Sequence, residues 1–344
     1  MRRRLAIGLL VAVLVAVGIG LLVMRSVRDD RIAPIPAIPT SVPAPATTTP
    51  LVSGGTIAVY ASTELGSEES LAELDRIKVA GFDSVIAYGS MNGRTVAGIR
   101  RYLDEARRVG IDVVFSVKDV LGTTDTDDVN AEHHRRLFKN GQDQSTDAQV
   151  ETIARELLGH PSVKRVLISD ELPGDLGDLQ EWLPRLKMRY EQINKIKPVS
   201  VVLYWNPDSS DFYRAVKQYT HDLQIDYYPL PESNKYGPVS AIADIGQMLW
   251  QTAGEDGWFV LQAFGWDPEA HSEAADLGFT KRSPPPTVEQ MVDMVRRAVE
   301  GHGEGGAMNI AFYALGDPNA ASLDAMAEAI RRIRAADWWQ NRGN

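Results

Sequence analysis

The sequence predicts an α/β fold, a (β/α)8 barrel over residues 56–344, on three observations. Short β-rich runs alternate with longer helical stretches eight times. Most of the runs are apolar on both faces, as buried parallel strands are. The repeating part covers about 280 residues, close to the length of about 250 that eight such units take. The alternative is an open doubly wound sheet, which would want a glycine-rich phosphate turn after its first strand. That turn reads Ala61-Ser62-Thr63-Glu64-Leu65-Gly66 and carries neither G-x-G-x-x-G nor a P-loop.

The strand runs are Ile57–Ser62, Ser84–Tyr88, Val113–Val117, Arg165–Ser169, Ser200–Trp205, Leu223–Tyr227, Trp258–Phe264 and Asn309–Ala314. The helical stretches alternate with them. Ser67–Ala80 carries Leu71, Leu74, Ile77 and Val79 and stops at Gly81; Thr95–Val109 stops at Gly110. Asp147–Leu158 places Val150, Ile153, Ala154 and Leu157 at helical spacing. Leu179–Ile196, Asp211–Tyr219, Val239–Trp250, Val288–Glu300 and Ser322–Ala335 complete the set. Glycine or proline breaks separate many helices from the following strand.

The first 55 residues have a different composition. Leu5 to Met24 is an unbroken run of apolar residues and glycine. At about 1.5 Å per residue it covers a hydrocarbon core of roughly 30 Å. Arg2, Arg3 and Arg4 precede it, and Arg25, Arg28 and Arg31 follow. A cleaved signal peptide would have a shorter apolar core and a small-x-small site. The run therefore reads as an uncleaved anchor, N-terminus inside, within residues 1–30. Residues 31–55 form a Pro/Thr-rich linker, with six prolines between Arg31 and Pro50. Such a stretch favours extended polyproline II and acts as a stalk. A single-pass protein of the cell membrane with an extracytoplasmic barrel is the expected arrangement.

The 344 residues are 44% hydrophobic and 24% charged, a globular composition. The absence of cysteine excludes a disulfide framework, a thiolate metal site and a cysteine nucleophile. The formal net charge is −10, although residues 1–50 hold six arginines against two aspartates. The acidity is thus concentrated in the barrel, which should repel nucleic acid. The six histidines form no metal pattern, no H-E-x-x-H occurs, and no G-x-S-x-G elbow points to a serine hydrolase. No cofactor is implied, and a calcium site of oxygen ligands is the weaker alternative for the acidic rim.

Chemistry in a barrel sits at the C-terminal strand ends. In order, these ends carry Glu64; Tyr88; Lys118 and Asp119; Asp170 and Glu171; Trp205, Asn206 and Asp208; Asp226 and Tyr228; Gln262, Trp266 and Asp267; Tyr313 and Asp317. Carboxyls interleaved with aromatics suit cleavage of glycosidic bonds, where one carboxyl protonates the leaving oxygen and another attacks carbon or activates water. Asp226 lies inside an apolar run, and a charge buried there needs a partner or a function. Asp170-Glu171 closes the apolar run Val166-Leu167-Ile168-Ser169, where helix capping is the competing role. Glu64, Asp119, Asp208, Asp267 and Asp317 also suit ordinary loop positions. Trp205, Trp266 and Tyr228 either line a sugar platform or seal the barrel top, and Lys118 either binds substrate or keeps a carboxylate ionised.

Four motifs carry a family resemblance over residues 56–335. Ile168-Ser169-Asp170-Glu171-Leu172-Pro173 resembles the D-E-P end of strand 4 in bacterial TIM-barrel glycoside hydrolases and hydrolase-like proteins. Asp226-Tyr227-Tyr228-Pro229 is similar to their D-x-Y-P on strand 6. The segment from Trp258 to Trp266 is similar to their W-x-V-x-Q-A-F on strand 7. Pro284-Pro285-Pro286-Thr287, a helix, a glycine-rich turn and Ile310-Ala311-Phe312-Tyr313 resemble their route into strand 8. The resemblance implies a carbohydrate-active barrel with Glu171 as general acid/base and Asp170 beside it. Two departures stand out. Where the large retaining clan keeps a nucleophilic Glu at the end of strand 7, this chain has Gln262, and Leu172 separates Glu171 from Pro173. Other barrel hydrolases pair carboxylates from strands 4 and 6, and Asp226 fits that arrangement.

The expectation is therefore a membrane-anchored glycoside hydrolase of a cell-wall or capsular glycan. Glu171, Asp226 and Asp170 are its catalytic candidates. Glu64, Tyr88, Lys118, Asp119, Trp205, Asn206, Tyr228, Gln262, Trp266 and Tyr313 are its binding candidates. The alternative is a non-catalytic glycan-binding or wall-scaffold protein on the same barrel.

Overall fold

The computed structural model describes residues 55–61, 65–88, 95–118, 153–172, 176–205, 210–231, 237–269, 279–302, 308–315 and 320–340. The expected anchor and stalk lie outside them. Among the described residues no helix is long and apolar enough to cross a membrane.

Eight parallel strands close into a barrel in sequence order: β1 (Ile57–Ala61), β2 (Ser84–Ala87), β3 (Asp112–Ser116), β4 (Val163–Leu172), β5 (Val199–Tyr204), β6 (Asp222–Tyr227), β7 (Gly257–Gln262) and β8 (Asn309–Leu315). Closure is the pairing of β1 with β8, from Ile57 opposite Ile310 to Ala61 opposite Leu315. The described helices are α1 (Glu68–Val79), α2 (Val96–Val109), α3 (Leu176–Ile193), α4 (Ser210–Lys217), α5 (Ala241–Ala253), α6 (Val288–Gly301), α7 (Leu323–Ala335) and the short α8 (Asp337–Gln340). This is the predicted (β/α)8 architecture.

Several helices begin where a hydroxyl can cap them. The side chains of Ser67, Thr95, Thr287 and Ser322 accept the N–H groups of Ser70, Gly98, Gln290 and Ala325. Each such cap contributes about 1 kcal/mol. Thr287 and Gln290 bond reciprocally as a capping box. Gly110 ends α2 at φ 75°, a left-handed position that glycine occupies without penalty. α5 and α6 pack so closely that a Cβ on Gly301 would lie 1.8 Å from the Ala243 carbonyl oxygen.

Three elements differ from expectation. β4 runs for ten residues, with register shifts after Leu167 and Ser169, so Asp170 and Glu171 lie inside the strand. The stretch expected to be helical up to Leu158 ends in a wide π turn, Ala154–Leu158, and 147–152 lie outside the described residues. α8 was not foreseen; it buries Trp339.

Strand alternation divides the apolar residues into two layers. The outward residues, such as Val59, Phe115, Ile168, Leu203, Ile225 and Phe312, pack under the helices. The inward ones, including Ala58, Tyr60, Ile86, Val114, Leu167, Val202, Trp258, Val260 and Ala311, fill the lumen as a separate cluster. Barrel interiors usually hold bulky branched residues. Here β6 turns Asp222, Gln224 and Asp226 inward at every second position, all buried.

These three levels differ. At the floor Asp222 forms an ion pair with Arg165 of β4, whose guanidinium lies 5.9 Å from the Trp258 ring centroid. Burial pushes the Asp222 carboxyl up to about 6, with Arg165 opposing the shift. Beside it Asn309 donates to the carbonyls of Glu255 (2.9 Å) and Gly257 (3.3 Å) and accepts from Thr56 N–H (3.2 Å). Halfway up, the Tyr60 hydroxyl donates to Gln224 Oε1 (3.0 Å), and Gln224 Nε2 donates to Ser200 Oγ (2.6 Å). Asp226 is the upper level.

Candidate active site at the barrel mouth

Asp226 is the next-to-last residue of β6 and is 1% exposed. The ladder sets its height against the end of β4. Leu172 pairs with Leu203, and Leu203 pairs with Ile225, the residue before Asp226. Asp170 and Glu171, just before Leu172, therefore lie about level with Gln224, one inward position below Asp226 and two strands away. Neighbouring strands lie about 4.8 Å apart, so the backbones are separated by roughly 10 Å.

An aromatic cluster lines the same end of the barrel. Tyr313 of β8 lies with its ring centroid 5.3 Å from Tyr60, 6.0 Å from Tyr88, 5.9 Å from Tyr228 and 5.5 Å from Phe264. Tyr60 and Tyr88 are 5.7 Å apart, and Tyr228 and Phe264 5.2 Å. The pairs are tilted or edge-on, the geometry aromatic quadrupoles favour. Tyr88 and Tyr313 remain partly exposed, so this wall offers faces to a ligand. At the end of β3, Lys118 holds Nζ 3.6 Å from the Tyr88 ring centroid, a cation–π contact.

The structure thus gathers Tyr88, Lys118, Tyr228 and Tyr313, with Asp226 on the inward face of β6 two residues before Tyr228. Trp266 joins their cluster but is buried, stacked on Phe279 at 5.6 Å and edge-on to Phe264 at 5.1 Å. Its backbone N–H donates to Ser283 Oγ (2.8 Å), which ties down the chain after β7. Trp205 is not part of the cluster. It stacks on Tyr213 of α4, at 6.1 Å and 14°, in the layer outside the barrel. The outward parity of Val201 and Leu203 extends to position 205, a signal the sequence already held.

Gln262 has its amide fully engaged by backbone. Leu230 N–H donates to its Oε1, and its Nε2 donates to the carbonyls of Leu230 and Phe264, each at 2.8 Å. Asp267 lies 3.6 Å from Arg282 Nε, and its other oxygen accepts Glu269 N–H. Glu64, Asp119, Asn206, Asp208 and Asp317 lie outside the described residues, as do His133 and His134. Among the described residues no group of His, Asp and Glu is arranged to hold a metal ion.

Tyr60 and the two lower inward residues of β6, Asp222 and Gln224, were not among the expected site residues. The signal for both is parity: Tyr60 shares the inward face with Ala58, and Asp222 and Gln224 share it with Asp226.

No family model matches the sequence, and no curated protein does. Solved structures match at low identity. A DUF72 family protein from Enterococcus faecalis is 12% identical with a TM-score of 0.50, over 82% of this chain and 98% of that one. The spore cortex-lytic enzyme SleL of Bacillus cereus is 12% identical at 0.49, over 81% and 74%. A β-D-glucuronidase from Dictyoglomus thermophilum is 14% identical at 0.47, over 85% of this chain and 52% of its own. The likeness at this identity is one of fold.

Proposed function

We propose that this barrel is a glycoside hydrolase that acts on a cell-wall or capsular glycan outside the cytoplasm, held to the membrane by Leu5–Met24. The observation that carries the reading is the mouth. A buried carboxyl, Asp226, shares the inward face of β6 with Tyr228 of the tyrosine cluster, and the two acids of β4 lie one inward position lower, two strands away.

In this reading Glu171 protonates the glycosidic oxygen, Asp226 is the partner carboxyl, and Asp170 orients the pair. A backbone separation of roughly 10 Å between β4 and β6 favours a water between the carboxyls. Inverting enzymes leave about 6.5–9.5 Å for that water, retaining ones about 5–5.5 Å. Asp226 then acts as general base. Tyr88, Tyr228 and Tyr313 present ring faces to the sugar, and Lys118 binds a hydroxyl or an acidic substituent.

The test uses the purified full chain, Glu171→Gln and Asp226→Asn on a panel of wall polysaccharides. New reducing ends from the wild type, reduced about 10²–10⁴-fold in each variant, support the assignment. Release that persists in both variants keeps a hydrolase but removes these acids. Glycan binding without release from any polysaccharide would favour the binding protein.

A further inference from the structure

We infer that Gln262 is a positioning residue, an amide rung that holds the chain leaving β6 and thereby presents Asp226 and Tyr228 to the mouth. The chemistry it serves rests on the function proposed above, but the latch itself does not.

The β6–β7 ladder ends where Tyr227 pairs with Leu261. Beyond that point the chain leaving β6 turns through Tyr228 and Pro229. Gln262, next along β7, continues the ladder with its side chain: its amide grips both the N–H and the carbonyl of Leu230. The second Nε2 proton bonds the Phe264 carbonyl, so both donors are engaged and the amide has one permitted orientation. Gln262 is 1% exposed, so water offers no ready substitute for these partners. Tyr228 packs on Phe264 and Tyr313, two rings on the β7–β8 side of the mouth. The grip on Leu230, two residues beyond Tyr228, fixes that ring's backbone.

A carboxylate cannot do this. At position 262 it would turn an acceptor oxygen toward two carbonyls and lose both donated bonds. The amide is thus required where related chemistry would place an acid, and β7 contributes support to the mouth.

The experiment compares wild type, Gln262→Met and Gln262→Glu. Amide hydrogen exchange over 226–231 is expected to quicken about tenfold or more in Gln262→Met, with β1 and β2 unchanged. On a cleaved glycan, kcat is expected to fall about tenfold or more with little change in KM, well below the melting temperature. Gln262→Glu is expected to regain protection on acidification, because its protonated carboxyl recovers one donor. This variant also decides the matter if Gln262→Met fails to fold. Unchanged protection in Gln262→Met, or no pH response in Gln262→Glu, would overturn the latch. Lost protection with an unaltered kcat would overturn the positioning role. If the wild type cleaves no glycan, the hydrolase reading fails while the exchange result still decides the latch.

Discussion

Asp222 and Asp226 lie on the same face of the same strand, four residues apart, and both are buried. Their surroundings differ. At the floor Asp222 meets Arg165 beneath Trp258, in a region closed by Asn309. At the mouth Asp226 lies on the inward face two residues before Tyr228, whose cluster includes the partly exposed Tyr88 and Tyr313. One carboxyl lies at the floor against a guanidinium, the other at the strand end where barrels bind their ligands. In the function proposed for this barrel, position along the strand, more than residue type or burial, separates support from chemistry.

The largest expected effect separates the two ends. Asp226→Asn should lower glycan turnover by about 10²–10⁴-fold with a small change in melting temperature. Equal damage to stability would make Asp226 a second floor residue. Asp222→Ala should do the reverse. It strands Arg165 in a mostly buried site and should cost about 3 kcal/mol in urea unfolding, leaving kcat of the folded protein intact.

A pH experiment sharpens the contrast. The folded state holds the Asp222 proton up to about 6, well above the ordinary 3.8. Its contribution to stability is therefore full below about 3.8 and is lost as pH rises through about 6. The wild type should lose roughly 2–3 kcal/mol between pH 4 and 7 from this group. The double variant Arg165→Met with Asp222→Leu should lack that slope and match or exceed wild-type stability at pH 7. A slope that persists in the double variant would assign it elsewhere. The smallest effect is expected midway, where Tyr60→Phe removes the donor to Gln224 and should cost about 1 kcal/mol.

Much of this was legible in the sequence because it is periodic. Eight alternations gave the barrel, and hydroxyl residues ahead of apolar spacing marked the starts of α1, α2, α6 and α7. The inward column of β6 could be read by counting in twos. Partners supplied by a turn were not legible. Gln262 bonds a peptide 32 residues away through a loop whose path no local pattern encodes. β4 also exceeded its apolar run, because its register shifts carry the ladder past Ser169 to Leu172.

The pairing of β1 with β8 has a consequence for synthesis. Ile57 and Ile310 are hydrogen-bonding neighbours although some 250 residues separate them. Until β8 emerges from the ribosome, β1 and β7 each present a bare sheet edge, the kind that recruits foreign strands. A chain interrupted before Asn309 would also lack the side chain that joins the start of β8 to β7 and to Thr56. The nascent barrel is thus an open ribbon until its final strand arrives, and its exposure to misassembly is set by how quickly that strand is delivered.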